Sequence, residues 1–300
     1  MNKKELIASG LLVLTAAIWG FAFVAQRVGS GYVGAFTFNG VRFALGAVSL
    51  LPIIYITSRN NIDGQAAGFP VIPGIACGTV LFIASTLQQI GVSETTAGKA
   101  GFITGFYIVL VPLLGIFMKR TVGRNIWIGV VLALSGLYLL SVNGRLSISR
   151  GDLLVLIGAF FFAVHILIID RFAVKTDPLK LSFMQFLTCS ALSCISALIF
   201  EGAHFSGVIQ AAVPILYGGI GSVGIAYTLQ VVAQKDARPS HAAIIMSLES
   251  AFGSLGGFII LHEDLGPRGY AGCMLMFSGM IISQIKDKSK NKPVTQVENS

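Results

Sequence analysis

Apolar residues in this chain gather into ten stretches, each bounded by polar or charged positions. They fall near 7–26, 34–56, 70–91, 97–118, 125–142, 151–169, 180–200, 211–232, 240–261 and 267–285. Each is roughly 18 to 23 residues long, the length at which a helix crosses the bilayer core. Backbone polar groups in lipid must be satisfied within their own segment, so each stretch predicts a helix. The expected fold class is an all-α integral membrane protein with ten transmembrane helices.

Lys and Arg alternate between the two ends of these spans. With a cytoplasmic amino terminus, the inner segments carry Lys3, Lys4, Arg59, Lys119, Arg120, Arg124, Arg171, Lys175, Lys180, Lys235, Arg238, Lys286, Lys288, Lys290 and Lys292. The outer ends and loops carry only Arg27, Lys99, Arg145, Arg150 and Arg268. That is fifteen against five, with Arg42 left inside a span. The positive-inside rule then puts both termini in the cytoplasm.

Composition agrees with lipid as the solvent. Apolar residues make up 54% of the chain and charged ones 11%, against about a quarter charged in a soluble domain. The formal net charge of +8 sits at span ends, where it orients the chain and meets anionic headgroups. The bilayer is therefore an expected partner and nucleic acid is not. The Lys-rich tail, 286–300, reads as a solvated cytoplasmic end. Cys77, Cys189, Cys194 and Cys273 lie in apolar spans at no zinc-binding spacing, so they read as free packing thiols, with no metal site. The first span follows Lys3 and Lys4 as a signal peptide would, but its apolar run is too long, and it reads as a retained helix.

The chain repeats itself. Residues 86–118 align without gaps on 228–260: Thr86-Leu87-Gln88 meets Thr228-Leu229-Gln230, Ala100 meets Ala242, and Gly115 meets Gly257. After a one-residue insertion, Gly123 meets Gly266, Trp127 meets Tyr270, Gly129 meets Gly272, and Ser135-Gly136 meets Ser278-Gly279. Upstream, Leu12-Val13-Leu14 meets Leu154-Val155-Leu156. This gives two five-helix repeats, 7–142 and 151–285, followed by the tail. An odd number of spans per repeat makes the second copy enter the membrane inverted, an architecture typical of secondary transporters. Two inverted copies that exchange shapes turn an outward-open cavity into an inward-open one of nearly equal energy.

Glycines spaced four apart (Gly74 and Gly78, Gly101 and Gly105, Gly253 and Gly257) mark close helix contacts. Pro112 lies inside the fourth span, where the second copy has Ser254, and a kink is expected there.

Polar residues inside spans are the candidate chemistry. Glu249 lies near the middle of the ninth span, where a carboxylate costs on the order of 3 kcal/mol or more. At 100° per residue it shares a face with Ala242, Met246, Gly253 and Gly256, opposite Ile244, Leu248, Ala251, Leu255 and Phe258. It is the proton-coupling candidate, set against structural hydrogen bonding as a protonated acid. Arg42, in the second span, has three readings: pairing with Glu249, holding backbone carbonyls, or binding a substrate carboxylate. Asn39 is placed to share its network. Gln88 and Gln230 are repeat-related, and inversion is expected to place them at opposite mouths. Lys99 and His241 are likewise related and are gate candidates, with interfacial anchoring as the competing account. Tyr227 shares a face with Gln230, and Tyr107, with Thr104 on its face, is the repeat counterpart of Glu249. Trp19, deep in span one, either lines a cavity or packs a core, and His165, deep in span six, is either a hydrogen-bonded structural imidazole or a titrating relay.

No GxxxxGK loop, GxSxG or HExxH motif occurs, so nucleotide hydrolysis, serine-hydrolase and zincin chemistry are not expected. Neither catalytic residues nor a cofactor is expected, and uphill movement would draw on a gradient.

Several segments resemble the EamA-type drug/metabolite transporters. They are Ala17-Ile18-Trp19-Gly20 with Gln26-Arg27, Asn39-Gly40-Val41-Arg42-Phe43, Ala97-Gly98-Lys99-Ala100-Gly101-Phe102 and Pro112-Leu113-Leu114-Gly115. In the second copy they are Pro239-Ser240-His241-Ala242-Ala243 and Ser247-Leu248-Glu249-Ser250. The resemblance covers roughly 7–285. It implies a ten-helix inverted-repeat fold in the bacterial plasma membrane, exporting amino acids or other small metabolites. It also implies a central cavity walled by spans one, three, four, six, eight and nine, which marks Trp19, Gln88, Tyr107, His165, Tyr227, Gln230 and Glu249 as cavity residues. The halves depart from each other: roughly where the first has Trp19 and Arg42, the second has Phe162 and Gln185.

The expected function is thus secondary active export of a small metabolite by alternating access. Multidrug efflux and metabolite uptake stand as alternatives within transport. From another class stands a membrane enzyme acting on lipid intermediates, disfavoured because Asp170, Asp177 and Asp236 are scattered among basic residues. Both a monomer and a homodimer fit the sequence.

Overall fold

The computed structural model describes residues 3–60, 68–95, 97–120, 122–141, 149–202, 206–261 and 266–285, and every regular element among them is helical. Arg145 and the tail from Lys286 onward, which carries Lys288, Lys290 and Lys292, lie outside the described residues, as do the side chains of Arg59 and Lys99.

The first half contains α1 (Lys3–Gly29), α2 (Ala35–Asn60), α3 (Val71–Glu94), α4 (Ala97–Thr104), α5 (Tyr107–Phe117) and α6 (Arg124–Ser141). The second contains α7 (Arg150–Ala173), α8 (Pro178–Phe200), α9 (Ser206–Gln210) and α10 (Ala212–Leu216). There follow a π-helical stretch (Tyr217–Tyr227), α11 (Thr228–Ala233), α12 (Pro239–Met246), α13 (Glu249–Leu261) and α14 (Gly266–Gln284). Among the described residues, seven helices are long and apolar enough to cross a membrane, and Arg124–Leu139 is a shorter apolar helix.

Three spans expected as continuous helices are interrupted. The fourth breaks at Gly105 and Phe106, and the ninth at Ser247 and Leu248. In the repeat alignment these are the same place. Pro112 lies within α5 beyond the first break and denies Ile108 its usual amide donor. The second break occurs with Ser254 in the proline's position, so proline is not the shared cause. The break at Gly105–Phe106 is thus separate from the proline.

The eighth span carries the third interruption, the eleven-residue π stretch. Its glycines let α2 come close: a Cβ on Gly219 would lie 2.7 Å from the Leu45 Cβ and 3.0 Å from the Arg42 carbonyl oxygen. The widened turns leave carbonyls for other partners. The Ser222 oxygen accepts from Trp19 Nε1 at 3.3 Å, and the Ala226 oxygen from Thr15 Oγ1 at 3.3 Å.

Helices from the two halves pack together throughout: α2 on α8, α3 on α7 and α8, α1 on α13, and α6 on α14. The α6–α14 crossing depends on the absence of side chains. A Cβ on Gly129 would stand 2.8 Å from the Gly279 carbonyl oxygen, and one on Gly279 would stand 2.7 Å from that of Gly129. Gly136 faces the Gly272 carbonyl in the same way. Gly129 aligns with Gly272 and Gly136 with Gly279, so this crossing maps onto itself when the halves exchange.

Some inter-helix polar contacts sit at the two ends of the bundle. At one end Arg27 Nη1 donates to the Val92 and Ser93 carbonyls (2.9 and 2.6 Å), and Thr95 Oγ1 donates to Asp152 (2.6 Å). At the other, Arg120 pairs with Asp170 at 2.6 Å, and Asn125 Nδ2 donates to the Ile285 carbonyl at 2.9 Å. Between them the outer faces carry exposed aliphatic side chains such as Leu14, Val48, Val131 and Leu198, as a lipid-facing belt requires.

Glu201, just past α8, caps α2 across the halves. Its carboxylate accepts from the Phe36 and Thr37 amides, both at 2.8 Å, and from Thr37 Oγ1 at 2.6 Å. Glu201→Ala leaves those first-turn donors without this partner and should lower stability by about 1 kcal/mol. The thermal unfolding midpoint in lipid discs measures this. An unchanged midpoint would remove the cap from the account.

Candidate functional site: a central polar cavity

A cavity lies where α1, α3, α5, α7 and α11 meet the breaks of the fourth and ninth spans. It is lined by Trp19, Arg42, Gln88, Tyr107, His165, Tyr227, Gln230 and Glu249 together with Ala22, Phe23, Gln26, Thr104, Phe162, Ile166, Ser222 and Met246. Its volume is about 30 Å³, room for a water or two and not for a metabolite. Of the residues expected on its wall, only Asn39 stands off it; Asn39 Oδ1 accepts from Arg42 Nε at 2.9 Å.

Periodicity explains the lining residues that sequence reasoning missed. Ala22, Phe23 and Gln26 follow Trp19 at three, four and seven residues, one face of α1. His165 and Ile166 follow Phe162 at three and four on α7. Trp19 alone was enough to find that stripe, had its helical neighbours been read with it.

Tyr107 Oη donates to Glu249 Oε1 at 3.1 Å, and the carboxyl is 3% exposed. Each residue opens a helix: Tyr107 is the first residue of α5 and Glu249 the first of α13. A helix start is where the aligned peptide dipoles favour negative charge. The two helix breaks thus place repeat-equivalent residues in contact at the cavity.

The rest of the wall is held by local bonds. Gln88 Nε2 donates to Thr104 Oγ1 at 3.1 Å, and His165 Nε2 lies 2.9 Å from Gln185 Oε1. The Trp19 and Tyr227 rings sit 4.6 Å apart, tilted by 59°. The Arg42 guanidinium carbon stands 5.4 and 5.1 Å from the Phe38 and Phe43 ring centres, a cation–π arrangement that helps hold a buried charge. No ion pair joins Arg42 to Glu249 among the described residues. Gln26 Oε1, Gln230 Oε1, Asn39 Nδ2 and Gln185 Nε2 are buried without hydrogen-bond partners. Such groups are costly to leave unmade, so polar capacity is in reserve here.

Two expectations need correction. Gln88 and Gln230 line one cavity rather than two separate mouths. The helical wheel drawn through 240–261 holds in part: Met246 lines the cavity with Glu249 and Leu255 is exposed, but Ile244, Leu248 and Ala251, placed opposite Glu249, are buried. Of the gate candidates, His241 is not among the residues that line this cavity. His241 is half-buried in the first turn of α12, while the Lys99 side chain falls outside the described residues. The four cysteines are free thiols, with Cys77 and Cys189 buried and Cys194 exposed.

Residues 6–142 and 149–284 each match the EamA-like transporter family. An "uncharacterized transporter" of Archaeoglobus fulgidus is 32% identical over 289 residues, covering 94% of this chain and 87% of that protein. The "uncharacterized transporter YwfM" of Bacillus subtilis is 24% identical over 288 residues, covering 93% and 94%. A solved crystal structure superposes with a TM-score of 0.75 at 18% identity, covering 92% of this chain and 96% of that one, a likeness of fold alone.

Proposed function

The chain belongs to the EamA-like transporter family, and on that premise we propose that it is a ten-crossing secondary transporter that exports small zwitterionic metabolites, amino acids foremost, by alternating access. Its two halves form an inverted repeat in the bacterial plasma membrane, with both termini in the cytoplasm.

The observation that carries this reading is the Tyr107–Glu249 hydrogen bond. It joins the first residues after two repeat-equivalent helix breaks, on a cavity wall that also bears Arg42. Broken helices at a repeat interface are where such folds bind substrate, since half-helix ends present unspent backbone groups. An acid and a guanidinium that do not pair with each other suit the ammonium and carboxylate of one zwitterion. At about 30 Å³ the cavity must widen to bind a metabolite. The α6–α14 glycine crossing, which maps onto itself, supports exchange of shape between the halves.

Purified protein in liposomes under an imposed proton gradient tests the proposal. Labelled amino acids should move against their own gradient in the direction opposite to proton flow. If no amino acid moves under any gradient, the cargo assignment falls. Finding the two termini on opposite faces of the membrane would overturn the crossing count.

A further inference from the structure

A second cavity, of about 480 Å³, opens where α5 ends and α6 and α12 begin. Lys119, Arg120 and Arg238 line it, with Ser240 and no carboxylate among the lining residues. Asp170 neutralises Arg120 at 2.6 Å; Lys119 and Arg238 make no ion pair among the described residues. The cleft shares two helices with the central cavity, α5 and α7. Val111, on its wall, is one turn beyond Tyr107, and Leu167 follows Ile166 of the central wall.

The backbone at Lys119 is unusual. Its φ is +59°, the left-handed region, where glycine is the usual occupant. Two bonds fix it there: the Lys119 amide donates to the Ile116 carbonyl at 2.8 Å and the Arg120 amide to that of Gly115 at 2.9 Å. This is the double-bonded helix ending in which glycine normally takes the left-handed place. Here a lysine takes it and lines the cleft. Arg238 holds the cap position of α12 with no side-chain cap bond, so the positive start of that helix adds to the field.

We propose that this cleft is an oxyanion site. Lys119 and Arg238 hold the carboxylate or phosphate oxygens of a small anionic group. The field is net positive, the space suits a small molecule, and the strained lysine indicates a position kept for its charge rather than for its backbone. That the site faces the cytoplasm and feeds the cavity rests on the function proposed above; the binding itself does not.

The full chain in discs of zwitterionic phosphatidylcholine provides the test, with inorganic phosphate as probe and chloride at matched ionic strength as reference. Phosphate should raise the unfolding midpoint of the unaltered protein above that in chloride. Lys119→Gly and Arg238→Gln should each weaken the apparent phosphate affinity about tenfold or more. In chloride, Lys119→Gly should unfold at or above the midpoint of the unaltered protein, because glycine relieves the left-handed strain. Its lost binding is then not lost folding. Equal midpoints in phosphate and chloride, or variants that bind phosphate undiminished, overturn the proposal. In phosphatidylglycerol discs, disappearance of the phosphate effect identifies a lipid headgroup as the occupant, and its persistence identifies a soluble anion; both uphold the site. If phosphate binds but no amino acid moves in liposomes, the vestibule stands and the transport reading falls. If cargo moves without a phosphate effect, this inference falls alone.

Discussion

Glu249→Gln is expected to abolish uphill transport while leaving downhill exchange in place. Glutamine matches the carboxyl in shape and keeps an oxygen to accept from Tyr107 Oη, which lies 3.1 Å from Glu249 Oε1. It cannot take up or release a proton. If proton movement is coupled to cargo at this carboxyl, the accumulation ratio under a proton gradient should fall to one. Counterflow of labelled against unlabelled cargo should persist, because the cavity wall is intact. Tyr107→Phe separates position from charge. It removes one donor to the acid and should slow transport by about tenfold, the scale of one buried hydrogen bond, while leaving the accumulation ratio above one. A Glu249→Gln protein that still concentrates cargo would remove this residue from the coupling and leave it as a structural acid.

Much of the fold was legible because lipid imposes a simple rule. A segment without water must satisfy its own backbone, so apolar length maps onto helix. Span limits such as 151–169 and 180–200 lie inside α7 and α8 for that reason. The breaks were not legible by the same rule. Gly105 hinted at one, but Ser247 and Leu248 are neither glycine nor proline, and their residue types mark no interruption. The π stretch was also hidden, since its glycines read equally well as an ordinary contact face.

At the site, polarity inside an apolar span pointed to Glu249, Arg42, Gln88 and His165, because burial in lipid is costly for each. Ala22 and Met246 gave no such signal. They line the cavity by helical phase and by the position of a break, which composition does not reveal. The side on which a glutamine emerges depends on the same break, and Gln88 and Gln230 therefore meet one cavity where simple inversion separated them.

Gly20→Val should be the most damaging change at a residue that touches no cargo. A Cβ at Gly20 would lie 2.6 Å from the Gly253 amide nitrogen and 2.7 Å from the Glu249 carbonyl oxygen. Both are backbone atoms, so no side chain can swing aside; α13 itself must retreat from α1. Overpacking of this kind destabilises by about 1–3 kcal/mol. The larger effect falls on position, because the displaced backbone is that of Glu249. A displacement near 1 Å is enough to cost about a hundredfold where alignment governs rate, and transport should drop on that scale. Gly10→Val supplies the comparison: it lies on the same helix, and a Cβ there meets nothing within 4 Å. Valine at Gly10 faces lipid and should leave both the unfolding midpoint and transport near those of the unaltered protein. If the two variants behave alike, close approach of α1 to α13 is not what sets the acid in place. If Gly20→Val loses transport and Gly10→Val keeps it, the position of Glu249 is fixed by an absent side chain on the facing helix.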